Sequence, residues 1–255
     1  ASYLEKFKSL AQENGYVIHF CNTLNAKDYG VPQNRKRAFI LGIHKNTKNA
    51  FAFPPAPDHF SPTSKEAKQG LFTWRTSSAV FEPLTSELIE EYIDKHFSLH
   101  TKMTNEEARE LLESLESGEV IDQGDPCNIH MKPTEKMLRR FKSTRLNGSR
   151  TDAGLEFELK CHANGYKGHK DVYGRVFIHT PSNTMTTGCN NPSKGRFVHP
   201  WKNHGITLRH AARFQTFPDD YIFTGSTTNQ AKQIGNAVPT ILSRKLISAI
   251  INGLK

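Results

Sequence analysis

The chain has 255 residues, a net charge of +9 and a pI near 9.4, which is enough polypeptide for one large domain or two small ones. Its charged residues are plentiful and mixed in sign, which excludes a disordered or fibrous protein, and no apolar run approaches the roughly 20 residues of a membrane helix. The basic balance favours a polyanionic partner, because neutralised phosphates release counterions, and the four widely spaced cysteines predict reduced thiols and no metal site.

The first 45 residues predict one helix and two strands. Apolar residues at helical spacing predict a helix over 2–14, with Gly15 at a C-cap position. Residues 16–21 predict a strand, and 37–43 predict a second strand that is buried on both faces. A helix and two strands are too few for a domain, so this unit indicates the tail end of a larger α/β sheet.

The middle of the chain changes character twice. Residues 44–82 are rich in Pro, Ser, Thr and Lys and predict a connector with little regular structure. Two Glu-rich helices are predicted over 85–97 and 105–117, the second opened by a capping box of Thr104 and Glu107. Their acidic face is expected to be solvated surface.

The sign of the charge then reverses. Residues 132–175 hold eleven Lys and Arg against five Asp and Glu, with β-prone runs at 155–161 and 173–179. A basic, turn-rich segment of this kind is a candidate DNA-contacting surface, and the alternative is an ordinary solvated basic face. Two further helices are predicted over 207–217 and 239–252.

A row of polar side chains leads into the second strand. Gln33, Arg35 and Arg37 alternate along an extended run, so they should project to one side, roughly 7 Å apart. Guanidiniums in such a row can bind phosphates or base edges with planar, bidentate geometry. An edge strand with solvated arginines would look the same. The longer run over 24–37, LNAKDYGVPQNRKR, resembles motif VIII of the C5-cytosine methyltransferase family.

Two runs near the C-terminal end resemble further motifs of this family. Residues 205–220, GITLRHAARFQTFPDD, resemble motif IX, in which Arg209 and Arg213 share a helix face. His210 stands where many members carry an acid, which weakens the case for a local arginine–carboxylate pair. Residues 233–239, QIGNAVP, resemble motif X, where Gly235 permits a tight turn and Asn236 could cap the helix that Pro239 begins.

The resemblance implies a fold and a set of site residues. The fold class is α/β: the C-terminal part of an S-adenosylmethionine-dependent, Rossmann-like methyltransferase sheet, with a smaller mixed α+β target-recognition domain. Residues 1–45 would end the catalytic domain, 46–225 would form the recognition domain with motif IX, and 226–255 would return to the catalytic domain. By resemblance the target nucleotide is contacted by Arg35 and Arg37, and S-adenosylmethionine by Asn236 and Ala237. Motif IX implies a structural role for Arg209 and Arg213. The expected DNA-binding residues are Gln33, Thr184, Arg139, Arg140 and Arg145.

The family's central chemistry is expected to lie outside this sequence. A cysteine of a Pro-Cys-Gln motif adds to C6 of a flipped cytosine, and a Glu-Asn-Val motif and a Gly-rich cofactor loop assist it. The sequence has one Pro-Cys pair, Pro126 and Cys127, followed by Asn in the recognition region, and Cys127 is therefore expected not to be the nucleophile. We expect the chain alone to be inactive, with only part of the cofactor site.

The expected partners follow from this reading. They are duplex DNA and an N-terminal catalytic half, in the same protein or a separate subunit, with no membrane, in a bacterial-type cytoplasmic restriction–modification enzyme. The helix over 2–14 and the strand over 37–43 should expose apolar side chains that this half would cover. Two alternatives remain: a non-catalytic DNA-binding specificity subunit, and an RNA cytosine-5-methyltransferase. The long recognition region favours DNA over RNA.

Overall fold

The computed structural model describes residues 2–48, 52–94, 103–159 and 170–254, and it shows a mixed α/β chain with one small sheet. The strands are β1 (Tyr16–Asn25) and β2 (Lys36–His44). The helices are α1 (Tyr3–Glu13), α2 (Lys65–Lys68), α3 (Ser86–Tyr92), α4 (Asn105–Ser114), α5 (Glu135–Ser143), α6 (Leu208–Phe214), α7 (Thr227–Asn236) and α8 (Thr240–Gly253).

The N-terminal helix and strands are found where the sequence predicts them. Ser2 caps α1 through its side chain, and Gly15 adopts a φ of +81°, which permits the turn into β1. The two strands pair antiparallel, from Tyr16 opposite His44 to Asn25 opposite Lys36. β1 extends four residues beyond the predicted end, to Asn25, because its ladder with β2 continues to that point.

The prediction that β2 is buried on both faces is wrong for the described chain. Of its residues only Ile43 is buried, and Ile40 is 42% exposed. A strand is buried on both faces only when layers cover both sides of its sheet, and the described sheet has two strands. The expected exposure of apolar side chains on α1 is confirmed, since Tyr3 and Leu10 are 88% and 59% exposed.

Within the described part of the chain, three apolar clusters form the interior. The largest, named here the α6 core, contains Met185, Phe197, Ile206, Phe214 and Ile234, all essentially inaccessible to solvent. A second cluster packs α3 and α4 against Leu146 and Ile178. The third joins the turn at 24–31 to Leu242 and Leu246 of α8. We name α1, β1, β2 and α8 together the hairpin unit. The proposed domain limits at 45 and 225 stay predictions.

The two predicted acidic helices are found as shorter elements. α3 runs over Ser86–Tyr92 and α4 over Asn105–Ser114, and the predicted capping box of Thr104 and Glu107 is confirmed. Residues 95–97 of the predicted first helix lie outside the described residues.

Both predicted β runs of the basic segment are wrong. Residues 155–157 form a 3₁₀ turn, 160 and 161 lie outside the described residues, and 173–179 contribute a single bridge from Arg175 to Val198. The β-prone side chains Val176 and Ile178 are buried in clusters of helices and loops, so tertiary packing overrides the local preference. The same basic segment contains helix α5, which was not predicted.

The end of the chain also contains a helix that the sequence did not reveal. Helix α7 begins Thr-Thr-Asn, which are weak helix formers, but Ser226 caps it and Ala231 and Ile234 are buried. Asn236 is the last residue of α7, so the prediction that it caps α8 is wrong; Pro239 occupies that cap position without a side-chain bond. Among the described residues no single helix could cross a membrane; α7 and α8, bent by 41°, reach the required length and apolar composition only as a pair, which is weak support for a span.

Candidate functional site

Arg35 lies inside the protein rather than on an exposed row. It is 2% exposed, and its Nη1 and Nη2 donate to the backbone oxygens of Met185 (2.8 Å) and Gly235 (2.7 Å). Burial, and then the nearby charge of Arg37, lowers the pKa of Arg35 to about 10, so the side chain stays cationic at neutral pH. Its contact with a target nucleotide stays a prediction.

Gln33 is fully buried beside Arg35. Its Oε1 accepts from the backbone N–H of Met185 (2.8 Å), and its Nε2 donates to the oxygen of Phe214 (2.9 Å) and to Oε1 of Gln215 (3.1 Å). Both backbone polar groups of Met185 are therefore satisfied by side chains from the motif VIII run. Its predicted DNA contact is likewise untested, and all the bonds seen are internal.

Arg37 differs from its two predicted companions. It is exposed, and its Nη1 donates to the adjacent Lys36 oxygen. The expected row of three side chains is therefore divided, with Gln33 and Arg35 inside and Arg37 in solvent. An exposed guanidinium next to an exposed lysine can accept a phosphate or a base edge without breaking internal bonds.

Thr184 is brought directly to the motif VIII run. Its hydroxyl donates to the backbone oxygen of Asn34 (2.9 Å), and Ser182 exchanges backbone bonds with Asn34 (2.8 Å) and Pro32 (3.1 Å). Two segments separated by about 150 residues therefore form one surface. We name residues 182–187 the recognition strip.

The predicted cofactor residues follow Gly235, whose backbone oxygen accepts from the second arm of the Arg35 guanidinium. Asn236 is exposed and Ala237 is half-buried. Gln215, a residue that the sequence analysis did not single out, donates from Nε2 to the oxygens of Ile234 (2.7 Å) and Ala237 (3.3 Å). We name residues 234–237 the cofactor turn. Gln215 lies inside the motif IX run, so its position in that motif was the available signal.

The three arginines expected to hold DNA from the basic segment have different environments. Arg139 is exposed. Arg140 is 3% exposed, donates to the Phe157 oxygen (2.6 Å) and lies 4.3 Å from the centroid of the Tyr173 ring. Arg145 is half-buried and pairs with Asp152 at 2.9 Å. Of the three, Arg139 is the residue most available to a phosphate.

Motif IX holds two arginine–carboxylate pairs, one with a partner outside the motif IX run and one with a partner inside it. Arg209 is 1% exposed, donates to Asp125 (2.5 and 3.0 Å) and also reaches the oxygen of Tyr221. Burial works against ionisation of Asp125, but the bonds from Arg209 and from the Cys127 amide keep the pKa of this carboxyl below its usual value. Arg213 binds Asp219 and the oxygens of Val80 and Glu119. These contacts support an organising role for both arginines.

Cys127 and Cys189 are poorly placed to act as nucleophiles. Cys127 is fully buried, and its Sγ lies 4.0 Å from Oε1 of Gln230. Cys189 is also buried, and burial raises the pKa of its thiol to about 12. A nucleophilic cysteine needs an accessible thiolate. Cys21 is half-buried on β1, and Cys161 lies outside the described residues.

A second polar cluster, which the sequence analysis missed, lies beneath the start of α6. Nε2 of His199 and of His210 face Oε2 of Glu82 at 3.8 and 3.9 Å, and Lys202 pairs with the same carboxylate. Burial would raise the pKa of Glu82, but the surrounding donors lower it far below its usual value. Burial lowers the pKa of His199 to about 3, against the attraction of Glu82.

The composition of this cluster resembles a metal site, but its protonation pattern does not. Nδ1 of His199 accepts from the backbone N–H of Trp201 (3.3 Å) and Lys202 (3.1 Å), and Nδ1 of His210 accepts from that of Thr207 (3.1 Å). A neutral imidazole whose Nδ1 accepts carries its proton on Nε2. The Nε2 positions that would bind a metal therefore carry protons, and these two N–H groups face the Glu82 carboxylate from beyond hydrogen-bond distance. We name this cluster the clamp on Glu82.

Comparison with known proteins places these motifs in context. The family profile described as C-5 cytosine-specific DNA methylase matches residues 1–252. The type II methyltransferase M.DdeI of Desulfomicrobium norvegicum is 28% identical, over 89% of this chain and 52% of that protein. The type II methylase M.HgiDII of Herpetosiphon aurantiacus is 27% identical, over 95% of this chain and 57% of that protein.

A plant protein is similar over the same stretch. DNA (cytosine-5)-methyltransferase 3 of Arabidopsis thaliana is 29% identical over 93% of this chain, but the match covers 18% of that protein. The chain spans about half the length of the two bacterial relatives.

Proposed function

This chain belongs to the C-5 cytosine-specific DNA methylase family, and we propose that it is the DNA-recognising part of a DNA (cytosine-5-)-methyltransferase. The whole enzyme would transfer a methyl group from S-adenosylmethionine to C5 of cytosine in duplex DNA, as part of a restriction–modification pair inside a bacterial cell. The observation that carries the proposal is the meeting of three segments around Arg35: the motif VIII run, the recognition strip and the cofactor turn.

DNA would be held from the exposed side of this junction. Arg37 and Lys36 present two cations where the motif VIII run reaches the surface, and the recognition strip lies beside this run. Phosphate contacts would position the duplex, and the loops of 46–225 would read base edges. Arg139 is the exposed cation that we assign to the DNA backbone, whereas Arg140 and Arg145 support the fold of this region.

The cofactor turn fits an edge of a S-adenosylmethionine site. Asn236 offers an exposed amide, and Ala237 and the 39%-exposed Val238 offer small apolar surfaces, which together suit an adenosyl group with polar and apolar parts. When bound, S-adenosylmethionine supplies the methyl group. Gln215 would hold the backbone of this turn in place through Ile234 and Ala237.

We propose that the nucleophilic cysteine and the rest of the cofactor site come from polypeptide other than these 255 residues. The thiols of Cys127 and Cys189 are buried, and the hairpin unit exposes Tyr3, Leu10 and Ile40, which a further part of the sheet would cover. A two-stranded sheet with one unsatisfied apolar side is the expected state of a Rossmann-like domain that lacks its other strands.

The direct test is transfer of tritiated methyl groups from S-adenosylmethionine to mixed-sequence duplex DNA. We expect no transfer by the chain alone, and transfer after addition of a polypeptide that carries the Pro-Cys-Gln part of a relative. Transfer by the chain alone would contradict the proposed division, and Cys127→Ser would then locate the nucleophile. Transfer to tRNA in preference to DNA would favour an RNA methyltransferase, and DNA binding without transfer under any pairing would favour a specificity subunit.

A further inference from the structure

Arg35 connects two segments that the proposed function assigns to different ligands. One arm of its guanidinium holds the recognition strip through Met185, and the other holds the cofactor turn through Gly235. A guanidinium is planar and its N–H groups have fixed directions, so the two acceptors are held at a set separation. A lysine ammonium has no such fork and could not bind both with this geometry.

A second route joins the same two segments. Gln33 binds the amide of Met185 and the side chain of Gln215, and Gln215 binds the oxygens of Ile234 and Ala237. Every side chain on this route is fully buried, where such bonds are not exchanged with water. The strip and the turn are therefore joined twice, by independent sets of hydrogen bonds.

The two segments also touch without any side chain between them. A Cβ added at Gly235 would overlap the backbone of Thr186 and Thr187. Because this contact is backbone against backbone, it cannot be relieved by a change of rotamer. A shift of the cofactor turn must therefore displace the recognition strip.

Burial of the Arg35 charge costs desolvation free energy, and no ion pair among the described residues offsets this cost. Its acceptors are carbonyl oxygens, no carboxylate among the described residues pairs with it, and its buried Nε has no partner there. A buried guanidinium bound in this way contributes little net stability, since its desolvation opposes its bonds. Its clearest effect is to fix the separation of two backbones.

We propose that Arg35 is a positioning residue that couples binding of DNA at the recognition strip to binding of the cofactor at the cofactor turn. This inference rests on the proposed function, because that function assigns DNA to one segment and S-adenosylmethionine to the other. Each ligand would order its own segment and, through Arg35, the segment that the other ligand needs. By linkage, the cofactor must tighten DNA binding by the same factor by which DNA tightens cofactor binding.

The test uses the whole methyltransferase that contains this chain and compares wild type with Arg35→Lys. Bisulfite sequencing of DNA treated with the wild-type enzyme first identifies a methylated sequence, and a duplex of that sequence becomes the probe. The Kd of S-adenosylhomocysteine, which cannot donate a methyl group, is measured by calorimetry with and without the duplex. Arg109→Lys, which changes a half-buried surface arginine paired with Glu90, is the matched control.

The coupling ratio is the Kd of S-adenosylhomocysteine without the duplex divided by its Kd with the duplex. In wild type and in Arg109→Lys we expect a ratio of about ten, a usual size for coupling between sites. In Arg35→Lys the ratio should fall from about tenfold to about threefold, because the route through Gln33 and Gln215 remains, while the Kd of S-adenosylhomocysteine alone changes less. An unchanged ratio, with both ligands weakened equally, would show a merely structural role and overturn the inference, as would a wild-type ratio of 1. Absence of methylation by the wild-type enzyme would instead contradict the proposed function.

A second variant keeps the test valid if Arg35→Lys does not fold. Gln215→Met removes the amide link to the cofactor turn but leaves Arg35 and the bond from Gln33 to Phe214 in place. We expect it to lower the coupling ratio part of the way toward 1. A folded Gln215→Met enzyme with the full wild-type ratio would count against coupling through this junction.

Discussion

Large apolar side chains are buried in the α6 core, but several are exposed in the hairpin unit. Phe197, Ile206 and Phe214 are at most 1% exposed in the α6 core, whereas Tyr3, Leu10 and Ile251 of the hairpin unit are between 59% and 88% exposed. Both regions have apolar residues at regular helical or strand spacing, so the difference lies in what covers them. The α6 core is closed by its own helices and loops, whereas no described residue covers these side chains of α1 and α8.

The two parts of the chain also differ in how many of their cationic side chains are exposed to solvent. In the basic segment 132–175, which the sequence made a candidate DNA-contacting surface, Arg140 and Arg175 are buried and bind backbone oxygens. In the hairpin unit Arg37 and Lys36 remain exposed. Basic composition therefore does not measure the charge available to a phosphate, because a guanidinium can also satisfy the carbonyl oxygens of irregular loops.

The largest predicted effect tests whether the α6 core and its surroundings are stable independently of the hairpin unit. Arg175 donates to the oxygens of Phe141, Thr144, His199 and Lys202 and to Asn203. Arg175→Met should lower the free energy of unfolding by about 3 kcal/mol or more, because buried acceptors lose their donors. Urea unfolding measures this loss, with Arg109→Met, at a half-buried surface position, as control.

Hydrogen exchange on Arg175→Met separates the two regions. Amide protection should fall in α6 and stay unchanged in β1 and β2 if the regions open separately. Equal loss of protection in α6 and in the two strands would show that the α6 core and the hairpin unit unfold as one unit.

The next effect tests the uncovered face of the hairpin unit. Tyr3→Ser combined with Leu10→Ser should change the unfolding free energy of the chain by less than about 1 kcal/mol, since the two residues are 88% and 59% exposed. The Kd between this chain and the polypeptide that carries the catalytic part should rise about a hundredfold. Burial of each side chain at the proposed interface contributes about 1.5 kcal/mol or more.

The matched control for this face changes another exposed pair. Leu71→Ser with Phe72→Ser removes two side chains that are 49% and 72% exposed outside the hairpin unit. Sedimentation velocity of the mixed polypeptides should show normal association for this control. Equal weakening by both double variants would mean that the exposed face of α1 is not the docking surface.

A smaller effect concerns pH and the clamp on Glu82. The pKa of His199 is lowered from about 6.5 to about 3, so its contribution to stability is present above pH 6.5 and is lost as pH falls from 6.5 toward 3. Between pH 7.5 and 5 this one group should cost about 2 kcal/mol of unfolding free energy. Glu82, whose pKa is also lowered, adds a loss in the same direction below about pH 4.5.

A variant of the clamp isolates this effect. In His199→Asn the amide oxygen can still accept from the backbone at 201 and 202, but the titrating ring is gone, so the loss between pH 7.5 and 5 should shrink by about 2 kcal/mol. Gln12→Asn, at an exposed position on α1, changes no titrating group and should leave the pH profile unchanged. An identical profile in wild type and His199→Asn would show that His199 does not titrate with folding.

The smallest expected effect is the response to zinc. Because the Nε2 atoms of His199 and His210 carry protons, one equivalent of zinc should change the melting temperature of the chain by less than about 1 °C. A larger rise that a chelator reverses would show that the imidazoles can exchange tautomers and bind a metal.

Several features of the molecule were fixed by local sequence. The apolar spacing of α1, the capping box at Thr104 and Glu107, and the start of α6 at Thr207 depend on residues a few positions apart, and each was found at or near its predicted place. Family membership was also readable from contiguous runs, because motifs VIII, IX and X each place their residues within about 16 positions. Helix α7 was not predicted, because its first turn has weak helix formers and the helix is stabilised by burial of Ala231 and Ile234.

Tertiary structure alone decided which of the polar motif residues remain free. The alternation of side chains along an extended run predicts the same exposure for Gln33, Arg35 and Arg37. In the structure Arg35 is buried, because it binds the backbone oxygens of Met185 and Gly235, which lie 150 and 200 residues away. Arg37 has no such distant acceptors among the described residues and is exposed to solvent. Likewise, the carboxylate partner of Arg209 is Asp125, 84 residues away. Burial and pairing are set by contacts between distant segments, and a sequence pattern with a period of two or 3.6 residues carries no information about them.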